Sequence, residues 1–316
     1  MPVHIQSLQY QDYPASVRLL NTACPERTET AEAWQRADEQ GSETHRIPRR
    51  YAAVDTEEQT VLGYASIWPV RFPKFRMDLA VAAEKRRQGI GSLLFQRLLE
   101  DLEALGAATV QARAREDRTE ALAFLNRRGF VETQRMRELR LDLRTADLSL
   151  LLPVIEALKQ RGVEFVTLAQ ERERTGDYMR KLHDLQQAAV PTWPDPDPSP
   201  DPPSWSYEDS VRFFQGTQAL PDAFYIARLG EQYLGYSGLA TREDRPDCLD
   251  SAGTAVHPNY RRQGIALALK TLGLLYARQH GYPAIATRSA NPAMIALNEK
   301  LGFRRGASEV RLVKQL

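Results

Sequence analysis

One pentapeptide occurs twice in this chain, and its residues are of the types that can hold an anion. Arg86-Arg87-Gln88-Gly89-Ile90 returns unchanged as Arg261-Arg262-Gln263-Gly264-Ile265. In each copy a strand-like apolar run ends shortly before the first arginine, at Val81 or Val256. A stretch of helical period follows the glycine, opening with Ile90-Gly91-Ser92 or Ile265-Ala266-Leu267. The first N–H groups of a helix have no partner inside it, and the helix dipole favours negative charge there. Glycine and alanine let such a backbone approach a phosphate closely. Arg-x-x-Gly-x-Gly/Ala ahead of a helix therefore reads as a pyrophosphate cradle. A Walker A loop would need Gly-Lys-Ser/Thr, which neither copy has. A dinucleotide fingerprint would open a βαβ unit with Gly-x-Gly-x-x-Gly, whereas this motif follows several strand-like segments.

Other landmarks keep step with the pentapeptide. Leu62-Gly63-Tyr64-Ala65 precedes the first copy and Leu234-Gly235-Tyr236-Ser237 the second; Gly129-Phe130 and Gly302-Phe303 follow them. Matched landmarks of this kind identify a duplicated domain. The expected fold class is α+β: a tandem pair of lobes, each a mixed sheet with helices. The expected lobes are residues 1–145 and 163–316, joined by a connecting helix within 146–162. In the first copy, strand patterns at 3–8, 50–54, 61–71, 75–82, 109–114 and 139–143 alternate with helical patterns at 13–24, 31–40, 91–105 and 119–128. The second copy repeats the series. Its segment from Pro191 to Pro203 is too rich in proline for a helix or a central strand, and reads as an extended loop.

Composition narrows the classes further. The 316 residues suit two domains. Lysine plus arginine number 42 against 41 aspartate plus glutamate, so no global field favours nucleic acid or an anionic membrane. No apolar run approaches the roughly 20 residues that span a bilayer, and the N-terminal residues lack the pattern of a secretory signal. Cys24 and Cys248 stand alone, without a CxxC or histidine partner, so neither a disulfide framework nor a metal site is expected and a cytoplasmic setting is.

With both copies in view, the sequence resembles the GNAT superfamily of N-acetyltransferases over almost its whole length. The match is closest from Val256-His257-Pro258-Asn259-Tyr260-Arg261 through Asn291 to Leu301-Gly302-Phe303. The resemblance implies that the arginine–glycine loops bind the pyrophosphate of acetyl-CoA, through Arg86, Arg87, Gln88, Gly89, Ile90, Gly91 and Ser92 in one copy. In the other, Arg261, Arg262, Gln263, Gly264, Ile265, Ala266 and Leu267 would do so. It implies that the strands ending at Val81 and Val256 hold the pantetheine arm where parallel strands splay, and that Asn291 belongs to the site. The ending Thr287, Asn291, Met294, Asn298, Leu301 looks like the mycothiol-synthase-like tandem branch. The expected acceptor is an amine, a small molecule by preference, with small metabolites, antibiotics and protein lysine all left open.

Departures from the family pattern qualify the chemistry. Many members carry a tyrosine four residues before the Gly-Phe glycine, able to protonate the departing thiolate. Here that position holds Leu125 in one copy and Asn298 in the other. Arg118 replaces the asparagine that the second copy keeps as Asn291. An amine nucleophile near pKa ~10 also needs a base at neutral pH. Strict alternation would put Asp250 on the same strand face as Ala252, Thr254 and Val256, where the first copy has Phe75, with Asp78 on the opposite face. Asp250 and Asn298 are therefore the expected catalytic pair, and the second copy the expected seat of turnover. The alternative is an acyl-CoA-binding sensor or scaffold without turnover.

Overall fold

The computed structural model describes residues 2–24, 29–41, 48–189, 205–216, 219–242 and 245–316. Two compact units emerge: Met1–Thr133 with Val310–Leu316, and Gln134–Glu309.

In chain order the first unit runs β1 (Val3–Ser7), α1 (Tyr13–Ala23), α2 (Ala31–Gly41), β2 (Arg49–Asp55), β3 (Val61–Arg71), β4 (Lys74–Val81), α3 (Ile90–Ala104), β5 (Thr109–Arg115) and α4 (Thr119–Asn126). Strand β6 (Val131–Asp142) follows. The second unit continues with α5 (Leu152–Gln160), β7 (Glu164–Thr167), α6 (Leu168–Arg174), α7 (Tyr178–Ala189), α8 (Tyr207–Gln215), β8 (Tyr225–Leu229) and β9 (Gln232–Ala240). It ends with β10 (Cys248–Val256), α9 (Ile265–Gln279), β11 (Ala284–Ser289), α10 (Pro292–Lys300) and β12 (Arg304–Arg305); the chain closes on β13 (Glu309–Gln315).

The first sheet has the order β1-β2-β3-β4-β5-β13 and the second β6-β11-β10-β9-β8-β7. The compact units are thus not the contiguous segments 1–145 and 163–316. The chain's final strand completes the first sheet, where Leu316 N–H donates to Ala108 O at 3.1 Å and Val310 and Leu312 join the core. The strand expected at 139–143 to close the first lobe lies instead beside β11, from Ala284↔Asp142 to Ser289↔Arg137. Alternation of side chains tells which residues face a core but not which of two like sheets supplies it, so duplicated lobes can exchange a terminal strand.

Residues 146–162 are more than a connector. Helix α5 buries Ile155 and Leu158 against Ile265, Ala268 and Leu269 at the start of α9. Each such side chain contributes about 1.5–3 kcal/mol by leaving water, which ties α5 to the second core. Helix α6, absent from the sequence reading, begins with a capping box in which Thr167 Oγ1 accepts from Gln170 N–H at 3.2 Å. The proline-rich loop at 191–203 lies outside the described residues; after it, Trp205 meets Phe213 edge-on, with ring centres 5.5 Å apart.

Candidate functional site

The two repeated loops adopt one backbone conformation. Arg86 and Arg261 are extended (φ −67°, ψ 160° and φ −69°, ψ 160°). Arg87 and Arg262 take positive φ of 64° and 59°. Gly89 and Gly264, the N-caps of α3 and α9, share φ 87°, a left-handed setting that favours glycine. Ser92 N–H already bonds Gly89 O at 2.9 Å and Ala268 N–H bonds Gly264 O at 2.9 Å. The N–H groups ahead of them have no acceptor within the helix, a geometry suited to an anion. The arginines that open the loops act inward: Arg86 Nε donates to Val81 O at 3.2 Å and Arg261 Nε to Val256 O at 3.1 Å. They pin the loop to the end of its strand.

Beside each loop the sheet opens. Strand β4 pairs with β5 in parallel only from Lys74↔Thr109 to Arg76↔Gln111, and then parts from it. Strand β10 pairs with β11 from Cys248↔Ala284 to Asp250↔Ala286 and parts likewise. Parallel strands that separate leave a V between them, closed at one end by ladder bonds and leading at the other to the cradle. The splay expected from the sequence is present in both lobes.

The lobes differ inside the V. In β4, alternation is regular: Phe75 and Met77 belong to the core beneath α3, and Leu79 and Val81 pack against it. Ala80, on the other face, joins Tyr64 and Trp34, so Asp78 faces that side too. Strand β10 carries a bulge. Ser251 pairs with Leu239 but Thr254 pairs with Ser237, one residue too many on β10, and Gly253 takes φ 105°. A bulge leaves one residue's backbone groups outside the ladder and reverses the alternation beyond it.

This corrects the expected placement of Asp250. It does not share a face with Thr254 and Val256. Leu249 packs on the α9 side with Leu239 and Leu274, which turns Asp250 to the opposite face, the one that also carries α7 and α8. Asp250 and Asp78 therefore lie on corresponding faces of their lobes. Arg242 Nη1 donates to Asp250 Oδ2 at 3.1 Å, while Oδ1 is buried and finds no partner among the described residues.

Asn298, on α10, is fully buried, and neither its amide oxygen nor its nitrogen finds a hydrogen bond. Asn291 has a structural role, because its Oδ1 caps α10, accepting from Ala293 N–H at 2.9 Å and Met294 N–H at 3.3 Å. Arg118 opens α4 without a side-chain cap, which accounts for the difference between copies at this position. His257 Nδ1 accepts from Asn259 N–H at 3.3 Å and Tyr260 donates to Gln232 Oε1 at 2.9 Å, so both shape the turn before the loop.

The cradles also differ in their surroundings. A Cβ at Gly89 would meet nothing within 4 Å, whereas at Gly264 it would meet Val154 Cγ2 of α5 at 2.8 Å. Arg161, just beyond α5, donates to Gln263 Oε1 at 2.6 Å. Sequence reading missed this flank, and it missed Lys270. Only setting the copies side by side gives a signal: Lys270 on α9 stands where α3 has the core residue Phe95.

Fold and site together define a two-lobed acyltransferase architecture, and the family model for the GNAT acetyltransferases matches residues 14–130 and 182–303, most of the chain. The chain belongs to that family. No curated protein matches it by sequence. Among solved structures it is similar to a GCN5-related N-acetyltransferase from Sphaerobacter thermophilus (18% identity, 99% of this chain and 95% of that one, TM-score 0.68). It is also similar to a tandem GNAT protein from the clavulanic acid biosynthesis pathway (18% identity, 99% and 98% coverage, TM-score 0.66). Among the described residues no helix is long and apolar enough to cross a membrane, and no cluster of three or more His, Cys, Asp or Glu could hold a metal ion.

Proposed function

We propose that the protein transfers an acyl group, in the simplest case acetyl, from its CoA thioester to a primary amine of a small molecule, and that turnover resides in the second lobe. The observation that carries this reading is the V between β10 and β11, which runs from its last ladder pair at Asp250↔Ala286 towards the Gly264 cradle. The loops hold pyrophosphate on unpaired backbone N–H groups. The strand beyond the split offers backbone partners to the pantetheine arm.

Chemistry follows from what lines the second V. Backbone groups freed by the β10 bulge are donors for a thioester oxygen as it becomes an oxyanion. An amine arriving from the α7–α8 face meets Asp250, whose bare Oδ1 accepts its proton as nitrogen bonds to the carbonyl carbon. The carbon–sulfur bond then breaks. Asn298 can hydrogen-bond the departing sulfur but has no proton to give, and a thiol near pKa ~8.5 leaves as thiolate at modest cost. Holding both reactants in line supplies much of the rate.

The scaffold reading draws on Leu125 and Asn298 standing where many family members have a tyrosine, and on the Arg242–Asp250 ion pair, which occupies one oxygen of the candidate base. A panel of small amines with acetyl-CoA, following free thiol, separates the two. Thiol release that depends on an amine supports transfer. CoA binding by calorimetry without such release favours the scaffold.

A further inference from the structure

Lys270 is 7% exposed and lies on the inner face of α9. Among the described residues its Nζ has one close polar neighbour, Ser251 Oγ at 3.4 Å, at the residue where β10 parts from β11. A small cavity opens beside it, with room for about one water-sized guest, 10 Å³. Ser237, Leu239, Ser251, Ile285 and Phe303 line it, and among the described residues no carboxylate does. Asp250, the nearest acid along the strand, points to the other face. In the first lobe the same helix position holds Phe95, packed against Phe124 and Phe130 with ring centres 6.2 and 6.0 Å apart.

An ammonium buried without a counter-ion costs several kcal/mol. Burial pushes Lys270 down to about 8, and an anion placed beside its Nζ would favour the charged form. Apolar Phe95 shows that the fold itself does not require a charge at this position. A buried cation at the closed end of the V, beside a one-oxygen void and the Ser251 hydroxyl, is matched by an anionic guest that enters with the substrate.

We infer that the second lobe receives an acyl group ending in a carboxylate, with Lys270 as the residue that selects it. This rests on the reading that the second V holds an acyl-CoA, and it narrows the donor class. One oxygen of the terminal carboxylate fills the one-oxygen void and pairs with the ammonium and the Ser251 hydroxyl. Donors of this class are the CoA thioesters of short dicarboxylic acids.

The test uses the full chain carrying Gly89→Asp, which puts a carboxylate into the first cradle at a point where nothing crowds it. Affinities of malonyl-CoA, succinyl-CoA and acetyl-CoA are then measured by calorimetry. One or both carboxyl-ended donors are expected to bind at least tenfold more tightly than acetyl-CoA. Lys270→Met is expected to erase that ratio and to raise the melting temperature of the unliganded protein; Lys270→Gln serves the same purpose should the first variant fail to fold. Equal affinities, a preference for acetyl-CoA, or a preference that survives loss of the charge would overturn the inference while leaving the second lobe as a donor site. Binding of none of the three donors would instead overturn the placement of the donor in that lobe.

Discussion

The two lobes carry the same pentapeptide in the same conformation, yet its surroundings have diverged. Around Gly89 the loop is open and the helix behind it packs Phe95, Phe124 and Phe130 into an apolar core. Around Gly264 the loop is flanked by Val154 and Arg161, and the helix behind it buries Lys270. The strand before it is bulged, and Asn298 stands where the first lobe has Leu125. Local sequence sets a loop's backbone; what packs around that backbone decides its chemistry. An apolar interior needs only to be filled, whereas a buried amide or ammonium without partners is costly unless something arrives to meet it.

The largest expected effect concerns the buried carboxylate that anchors the second lobe. Glu171 is fully buried, bonded by Arg174 at 2.9 Å and by Tyr233 at 2.5 Å. Replacing it with alanine leaves Arg174 and the Tyr233 hydroxyl short of a partner and should cost about 3–5 kcal/mol in chemical denaturation. Burial pulls the Glu171 carboxyl upward, but the hydrogen bonds from Arg174 and Tyr233 and the charges of Arg174 and Arg228 outweigh it and hold it below its ordinary value. Its contribution is therefore complete above the usual carboxylate range and is lost as pH falls through the lowered value. Glu171→Gln should flatten that acid limb of the stability profile.

Next in size is the contrast between Asp250 and Asp78, since both carboxylates occupy the same face of their own lobes. With an amine acceptor in hand, Asp250→Asn should lower kcat by ~10²-fold or more, and Asp78→Asn should change it little. The reverse result would move turnover to the first lobe.

The glycines offer a comparison in stability alone. Gly89→Ala meets only its positive φ, a cost of about 1–2 kcal/mol. Gly264→Ala bears the same cost plus crowding against Val154, about 1–3 kcal/mol more. Adding Val154→Ala should recover much of that excess in thermal melts; no recovery would mean that α5 does not press on the loop. The smallest effect lies at the helix caps. Asn291→Ala should cost about 1 kcal/mol through the lost cap of α10, while Arg118→Ala should be close to neutral, as Arg118 provides no cap.

The duplication, the α+β class, the positions of most strands and helices and both cradles were legible because they follow from local rules. Alternation marks strands, a 3.6-residue period marks helices, and a small residue at positive φ marks each loop. Even the parting of β4 from β5 was within reach, through the family resemblance. Asp250 shows where such rules stop. Its face was read from uninterrupted alternation, and the bulge between Ser251 and Thr254, invisible in composition, reversed it. Asn291 shows a second limit: the resemblance names it as a site residue, but only the observed bonds from Ala293 and Met294 show its Oδ1 capping α10.

What the sequence determined by itself was the inventory: two like lobes, two like loops, and one lobe with polar residues where the other is apolar. Tertiary structure decided the partners. It gave β13 to the first sheet and residues 134–142 to the second, set α5 against one cradle and left the other open, and enclosed Lys270 without an acid. The division has a physical cause. Backbone conformation is fixed by neighbours a few residues away, whereas burial, pairing and strand exchange depend on residues distant in the chain, whose contacts exist only once the sheets have formed.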